Sequence, residues 1–118
     1  MNVTQHNIGG EVIKENETYT LTDNNHLEHL TLSKTELNPG MNTRGHSHDS
    51  QEEVYFFNEG IGEMQVGEEK FKVEPGSIVL IPAGKFHRVF NESGKSNLSF
   101  VCVFEKYDRS GKEAQYGK

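Results

Sequence analysis

Four side chains on this chain have the types and the spacing to share one cation. His46 and His48 stand two positions apart, Glu53 follows, and His87 lies on a separate stretch. In extended backbone, side chains alternate between faces, so His46 and His48 point the same way and Ser47 the other. Three imidazoles and one carboxylate make an N/O donor set without thiolate. Such a set suits Fe, Mn, Co, Ni or Zn rather than a soft-metal site. A closed structural zinc is usually tetrahedral and rich in cysteine. Four protein ligands facing a cavity leave positions for water or substrate, so one divalent transition metal per chain is expected, and no other cofactor.

Positioning such a site needs strands brought face to face. Short apolar runs punctuated by turns cover most of the chain. His26 to Leu37 alternates and reads as a strand, ended by Asn38-Pro39-Gly40. Further strands are expected at Arg44–His48, Glu53–Asn58, Ile61–Val66, Lys70–Val73, Ser77–Ile81, Phe86–Phe90 and Leu98–Glu105. Asp23-Asn24-Asn25 reads as a turn, and Val12 to Leu21 carries no helical stripe. No segment sustains helical periodicity, so the fold class is all-β, a sandwich or barrel whose interior is lined by alternate residues. The organisation expected is a partly ordered N-terminal segment over 1–26, a barrel core over 27–105 and a polar tail over 106–118.

The chain has 118 residues and a net charge of −6, with Lys and Arg scattered. One domain is expected, with a modest core that a subunit partner would supplement. Nucleic acid and anionic membranes both call for a basic face, so neither is an expected partner. Neither a signal segment nor a run of ~20 apolar residues is present, which points to a cytoplasmic protein. The lone cysteine, Cys102, sits in the apolar run Phe100–Phe104 and reads as core.

The two clusters carry a more specific resemblance. Gly40, His46, His48, Glu53 and Gly60 match Gly-x5-His-x-His-x3,4-Glu-x6-Gly, and Gly76, Pro82, Gly84, His87 and Asn91 match Gly-x5-Pro-x-Gly-x2-His-x3-Asn. These are the two motifs of the cupins, and the chain resembles a small single-domain cupin from about Leu27 to Glu105. The resemblance implies a double-stranded β-helix, or jelly roll, commonly dimeric, with His46, His48, Glu53 and His87 as the metal ligands. Glu52 is adjacent to Glu53, and only one of the two can face inward; the count of six residues to Gly60 favours Glu53. Asn91 is expected to pin the turn that follows it.

Cupins serve many chemistries, so the fold alone does not choose one. The leading reading is a metal-dependent enzyme acting on a small polar metabolite, sugar-like or a carboxylate, by isomerase, epimerase or lyase-like chemistry. The alternatives are a non-haem iron dioxygenase and a non-catalytic sugar- or ligand-binding module. Tyr55 shares the face of Glu53 and is a catalytic candidate. Arg44 shares the parity of His46 and would clamp a carboxylate or phosphate at the barrel mouth. Glu63, His26 and His29 are weaker acid–base candidates. A homodimer is the expected assembly.

Overall fold

Strand-forming residues alternate with turn residues along the chain, and the elements follow that alternation. The computed structural model describes residues 1–47 and 50–106. Among the described residues the regular elements are all strands: β1 (Glu11–Glu15), β2 (Tyr19–Asn24), β3 (Leu30–Leu37), β4 (Glu53–Glu59), β5 (Gly62–Val66), β6 (Glu69–Val73), β7 (Ile78–Ile81), β8 (His87–Phe90) and β9 (Leu98–Glu105). None is a helix long and apolar enough to cross a membrane.

The strands form two antiparallel sheets. The larger has the order β1-β2-β3-β9-β4-β7 and the smaller β6-β5-β8. Facing each other, they make a double-stranded β-helix, the jelly roll of the cupins. Period-2 alternation decides what lies between them. Leu21, Leu37, Tyr55, Phe57, Leu98, Phe100, Cys102 and Phe104 point inward from the larger sheet, and Met64, Val73 and Val89 from the smaller.

Turn chemistry fixes the register. Val66 pairs with Glu69, which leaves Gly67-Glu68 as a two-residue hairpin loop. Gly67 has φ +58° and, among the described residues, no non-glycine residue has positive φ, so Glu68 does not, the pattern of a type II′ turn. Gly60 ends β4 at φ +87°, where a Cβ would run into the carbonyl of Asn97. Asn91 is buried and ties three segments together. Its Nδ2 donates to the carbonyls of Leu37 (3.1 Å), Asn38 (3.1 Å) and Ser96 (2.8 Å), while its Oδ1 accepts from the Ser93 amide (3.1 Å). The expected pin therefore exists, and it reaches back to the end of β3 as well as forward.

The N-terminal part departs from its sequence reading. Asp23 and Asn24 complete β2 instead of turning the chain, and β2 pairs with β3 along its whole length. The strand read from His26 begins only at Leu30. Residues 5–8, polar in sequence apart from Ile8, are strapped across the outer face of the larger sheet. Asn58 donates to the Gln5 carbonyl (2.6 Å), Lys34 to that of His6 (2.7 Å) and Asn24 to that of Ile8 (2.7 Å). Ile8, at the end of the strap, is buried. His48 and residues 107–118 of the expected tail fall outside the described residues.

Candidate metal centre

Two short backbone contacts build the site. The His46 amide donates to the His87 carbonyl (3.1 Å), and the His87 amide donates back to that of His46 (2.9 Å). Residues directly opposite in an antiparallel pair place their side chains on one face. The two imidazoles accordingly meet edge to face, with centroids 4.3 Å apart. Glu53 enters from β4, whose first residue pairs with Ile81 of β7. Its Oε2 lies 3.0 Å from His87 Nε2 and 3.6 Å from His46 Nε2. One donor atom from each of His46, Glu53 and His87 falls within 4.8 Å of the others.

The tautomer of His87 follows from its second contact. Nδ1 lies 3.0 Å from the Lys85 carbonyl. A carbonyl only accepts, so Nδ1 carries the hydrogen and Nε2 turns its lone pair toward Glu53. A backbone carbonyl on the remote nitrogen is the usual way a ligating imidazole is oriented. A lone pair facing a carboxylate oxygen at 3.0 Å requires positive charge between them, a proton or a cation. Ligands about 2.1 Å from a shared first-row ion sit about 3.0 Å apart at a right angle and about 3.4 Å apart at a tetrahedral one. The 3.0 Å separation equals the right-angle value, and the 3.6 Å separation lies slightly beyond the tetrahedral one. The residues present fit a metal.

Burial sets the direction of approach. The side chains of Glu53 and His87 are 1% and 2% exposed, and that of His46 is 11% exposed. The cluster therefore opens past His46. On its inner side Tyr55 forms the wall. Its ring stands perpendicular to His87 at 5.6 Å and stacks on Phe100 at 5.0 Å.

The structure brings together three of the four expected ligands, and the fourth, His48, lies outside the described residues. Glu53 is buried while Glu52 is exposed, as the motif count required. Tyr55 borders the cluster. Arg44 does not share the inward face of His46, because Gly45 between them has φ +88° and breaks the alternation. A Cβ at Gly45 would strike the Phe86 ring, so the kink is built in. Arg44 instead lines an outer groove with Lys14, Asn16, Thr43 and Arg88. His26 and His29 are exposed and outside the cluster, and Glu63 is on an outward position of β5. Sequence reasoning missed the Lys85 carbonyl; its one trace is the two-residue offset from His87 beside the Pro82-Ala83-Gly84 turn.

A jelly roll with two histidines and a glutamate converging inside one end defines a cupin. The cupin domain family model matches residues 33–104, and the chain belongs to that family. Uncharacterized protein MJ1618 of Methanocaldococcus jannaschii is 29% identical over 83 residues, which cover 70% of this chain and 66% of that protein, just under two thirds of its length. TT1209 from Thermus thermophilus has a solved structure that superposes with TM-score 0.70 at 30% identity, over 77% of this chain and 86% of that one. Bacillus subtilis oxalate decarboxylase, a protein with Mn(II) centres, superposes with TM-score 0.72 at 21% identity, over 81% of this chain and 28% of that one. That last likeness is one of fold.

Proposed function

We propose that this cupin is a metal-dependent enzyme acting on a small sugar-like or carboxylate metabolite, by isomerase- or lyase-type chemistry. The observation that supports it most is the convergence of His46, Glu53 and His87, with His87 fixed through the Lys85 carbonyl. In this reading those three residues hold one divalent transition metal, with His48 as the fourth ligand. The ion supplies Lewis acidity that polarises substrate oxygens.

The chain's own residues do the rest. The substrate enters past His46, the least buried ligand of the three. Tyr55, whose ring stands against that of His87, closes the inner wall, and in this reading its phenol holds or moves a proton beside the cluster. Phe100, stacked on Tyr55, keeps that ring from turning and keeps water out from beneath the site. Arg44, in its outer groove, is left out of this group. Substrate supply is taken to be from the cytoplasmic metabolite pool.

The test is a turnover screen of sugar acids, keto sugars and short carboxylates with Mn-, Fe-, Ni- and Zn-loaded protein. The reading expects product from a member of these classes and its loss in Glu53→Gln, with the far-UV circular dichroism unchanged. Oxygen consumption by the iron form would favour a dioxygenase. Saturable binding without product from any loaded form would make the domain a binding module.

A further inference from the structure

The basic residues are scattered in sequence, but the fold gathers three of them around one groove. The groove lies where the two sheets part. One wall is the end of the larger sheet, with Lys14, Asn16 and Thr18. The other is the stretch 42–46, with Thr43 and Arg44, together with Arg88 of β8. The groove has a volume of about 290 Å³. Small-molecule sites start at about 300 Å³, so the occupant it suits is small. Among the described residues none of its lining side chains is acidic, although the chain carries a net charge of −6. His46, Glu53 and His87 do not line it either.

Two backbone devices turn cations toward it. In β1 the register slips at Ile13: Val12 pairs with Thr22 and Lys14 with Leu21, which leaves Ile13 as a bulge. Residues paired across an antiparallel ladder share a face, and Leu21 faces the core. Lys14 therefore stands on the inner face of the larger sheet, exposed on its edge strand. An unbroken ladder would put Ile13 on that face and turn Lys14 outward; bulges commonly re-aim a side chain in this way. Glu15, the acid next to Lys14 in sequence, takes the outer face, where Thr20 donates to its carboxylate (3.4 Å). On the opposite wall, the positive φ of Gly45 breaks the alternation and brings Arg44 to the groove.

The internal hydrogen bonds of both walls occupy acceptors and leave donors. Asn16 Oδ1 accepts from the amides of Thr18 (2.8 Å) and Tyr19 (3.0 Å), so Nδ2 is what this side chain offers a ligand. The Thr43 carbonyl accepts from Arg88 Nε (2.8 Å), and Thr43 Oγ1 accepts from the Val89 amide (2.9 Å), which leaves the hydroxyl hydrogen to donate. Arg88 is held at Nε, with Cζ 5.0 Å from the Phe90 ring centre, so its guanidinium is fixed while the two Nη groups keep their hydrogens. Among the described residues neither Lys14 nor Arg88 is in an ion pair.

We propose that this groove is a binding site for a phosphate-type oxyanion, either inorganic phosphate or the phosphoryl group of a small metabolite. Donors reach the space from both walls. A tetrahedral oxyanion has acceptors for all of them, whereas a carboxylate has two oxygens in one plane. Three cations suit a dianion, and charge-assisted bonds from guanidinium to phosphate are among the strong ones. The site depends on neither the metal nor its chemistry.

Isothermal titration calorimetry of the full chain with inorganic phosphate and with glycerol phosphate tests this, beside NMR spectra that follow Arg88 Nε–H and the Asn16 side-chain amide. A dissociation constant on the order of 1 mM or tighter is expected, with both side-chain signals shifting as the site fills. Lys14→Glu, at an exposed position of the edge strand, should weaken binding by about tenfold or more. Lys72→Glu makes the same charge change at an exposed position of β6 outside the groove and should alter it by about twofold at most. Tighter binding of glycerol phosphate than of phosphate supports the proposal with a phosphorylated metabolite as occupant; equal or weaker binding supports it with free phosphate. Unmoved Arg88 and Asn16 signals up to about 50 mM phosphate, far above that affinity, overturn the proposal. So does binding that Lys14→Glu leaves unchanged, which would place the anion at the metal cluster. An equal loss in both variants overturns it too, since net charge would then be the whole effect.

Discussion

Replacing Asn91 with alanine separates the two roles that one motif position can have. Asn91 closes the second histidine motif in sequence, yet its hydrogen bonds among the described residues all go to backbone. Its two amide hydrogens serve three carbonyls and its oxygen accepts one amide, so about three full hydrogen bonds are at stake, each worth about 1 kcal/mol net. The Leu37 contact is buried, and its carbonyl would be left without this donor. The Ser96 and Ser93 groups lie near the surface and can be rehydrated. The loss should come to about 2–4 kcal/mol, or a fall in Tm of roughly 8–15 °C for a domain of this size. Asn91→Asp should cost more, since it sets a carboxylate against three carbonyl oxygens while saving only the Ser93 contact. Urea unfolding of the metal-free protein measures both, and metal content well below the transition should match the wild type. A cost below about 1 kcal/mol, or an Asp variant as stable as the wild type, would refute the hydrogen-bond reasoning. A stable variant that had lost its metal would make Asn91 part of the site.

Other perturbations follow from the same geometry. Gly45→Ala forces a side chain into a positive-φ position and against Phe86; it should cost about 1–3 kcal/mol and, by shifting His46, lower metal affinity in a titration monitored by calorimetry. Phe100→Ala empties the stack behind Tyr55 and should cost about 3–5 kcal/mol in urea unfolding, with any turnover falling further than the metal content does. Ile8→Ala tests the strap: Ile8 is the buried apolar residue of a segment otherwise polar in sequence, so a cost of about 2–4 kcal/mol is expected, and a cost near zero would show that the strap does not pack. Because imidazole binds metal only when unprotonated, metal should leave as the pH is lowered and return on neutralisation, read by a chromophoric chelator.

What the sequence revealed and what it hid have physical causes. The convergence of His46, Glu53 and His87 was legible because strand alternation and turn residues are local. His46 and Glu53 sit close in sequence, and Pro82-Ala83-Gly84 marks the approach to His87. The all-β architecture was legible for the same reason. The N-terminal strap was not, since its hold comes from Asn24, Lys34 and Asn58 on three strands donating to its carbonyls, and backbone acceptors leave no mark in composition. Asp23 and Asn24 looked like a turn by type, but Asn24 serves the strap and so continues β2. Arg44 was misdirected because parity counting assumes an unbroken strand, and Gly45 breaks it. The Lys85 carbonyl that orients His87 belongs to backbone and has no residue-type signal.

The central claim is that distant segments of this chain converge to bind one ion. Elemental analysis of the freshly purified protein beside His48→Ala, Glu53→Gln and His87→Ala tests it most directly. The account predicts a single divalent transition metal per wild-type chain, its loss in the three variants, and native circular dichroism throughout. A folded wild type that takes up no such metal when offered it, or full occupancy in the His87→Ala and Glu53→Gln proteins, would contradict it.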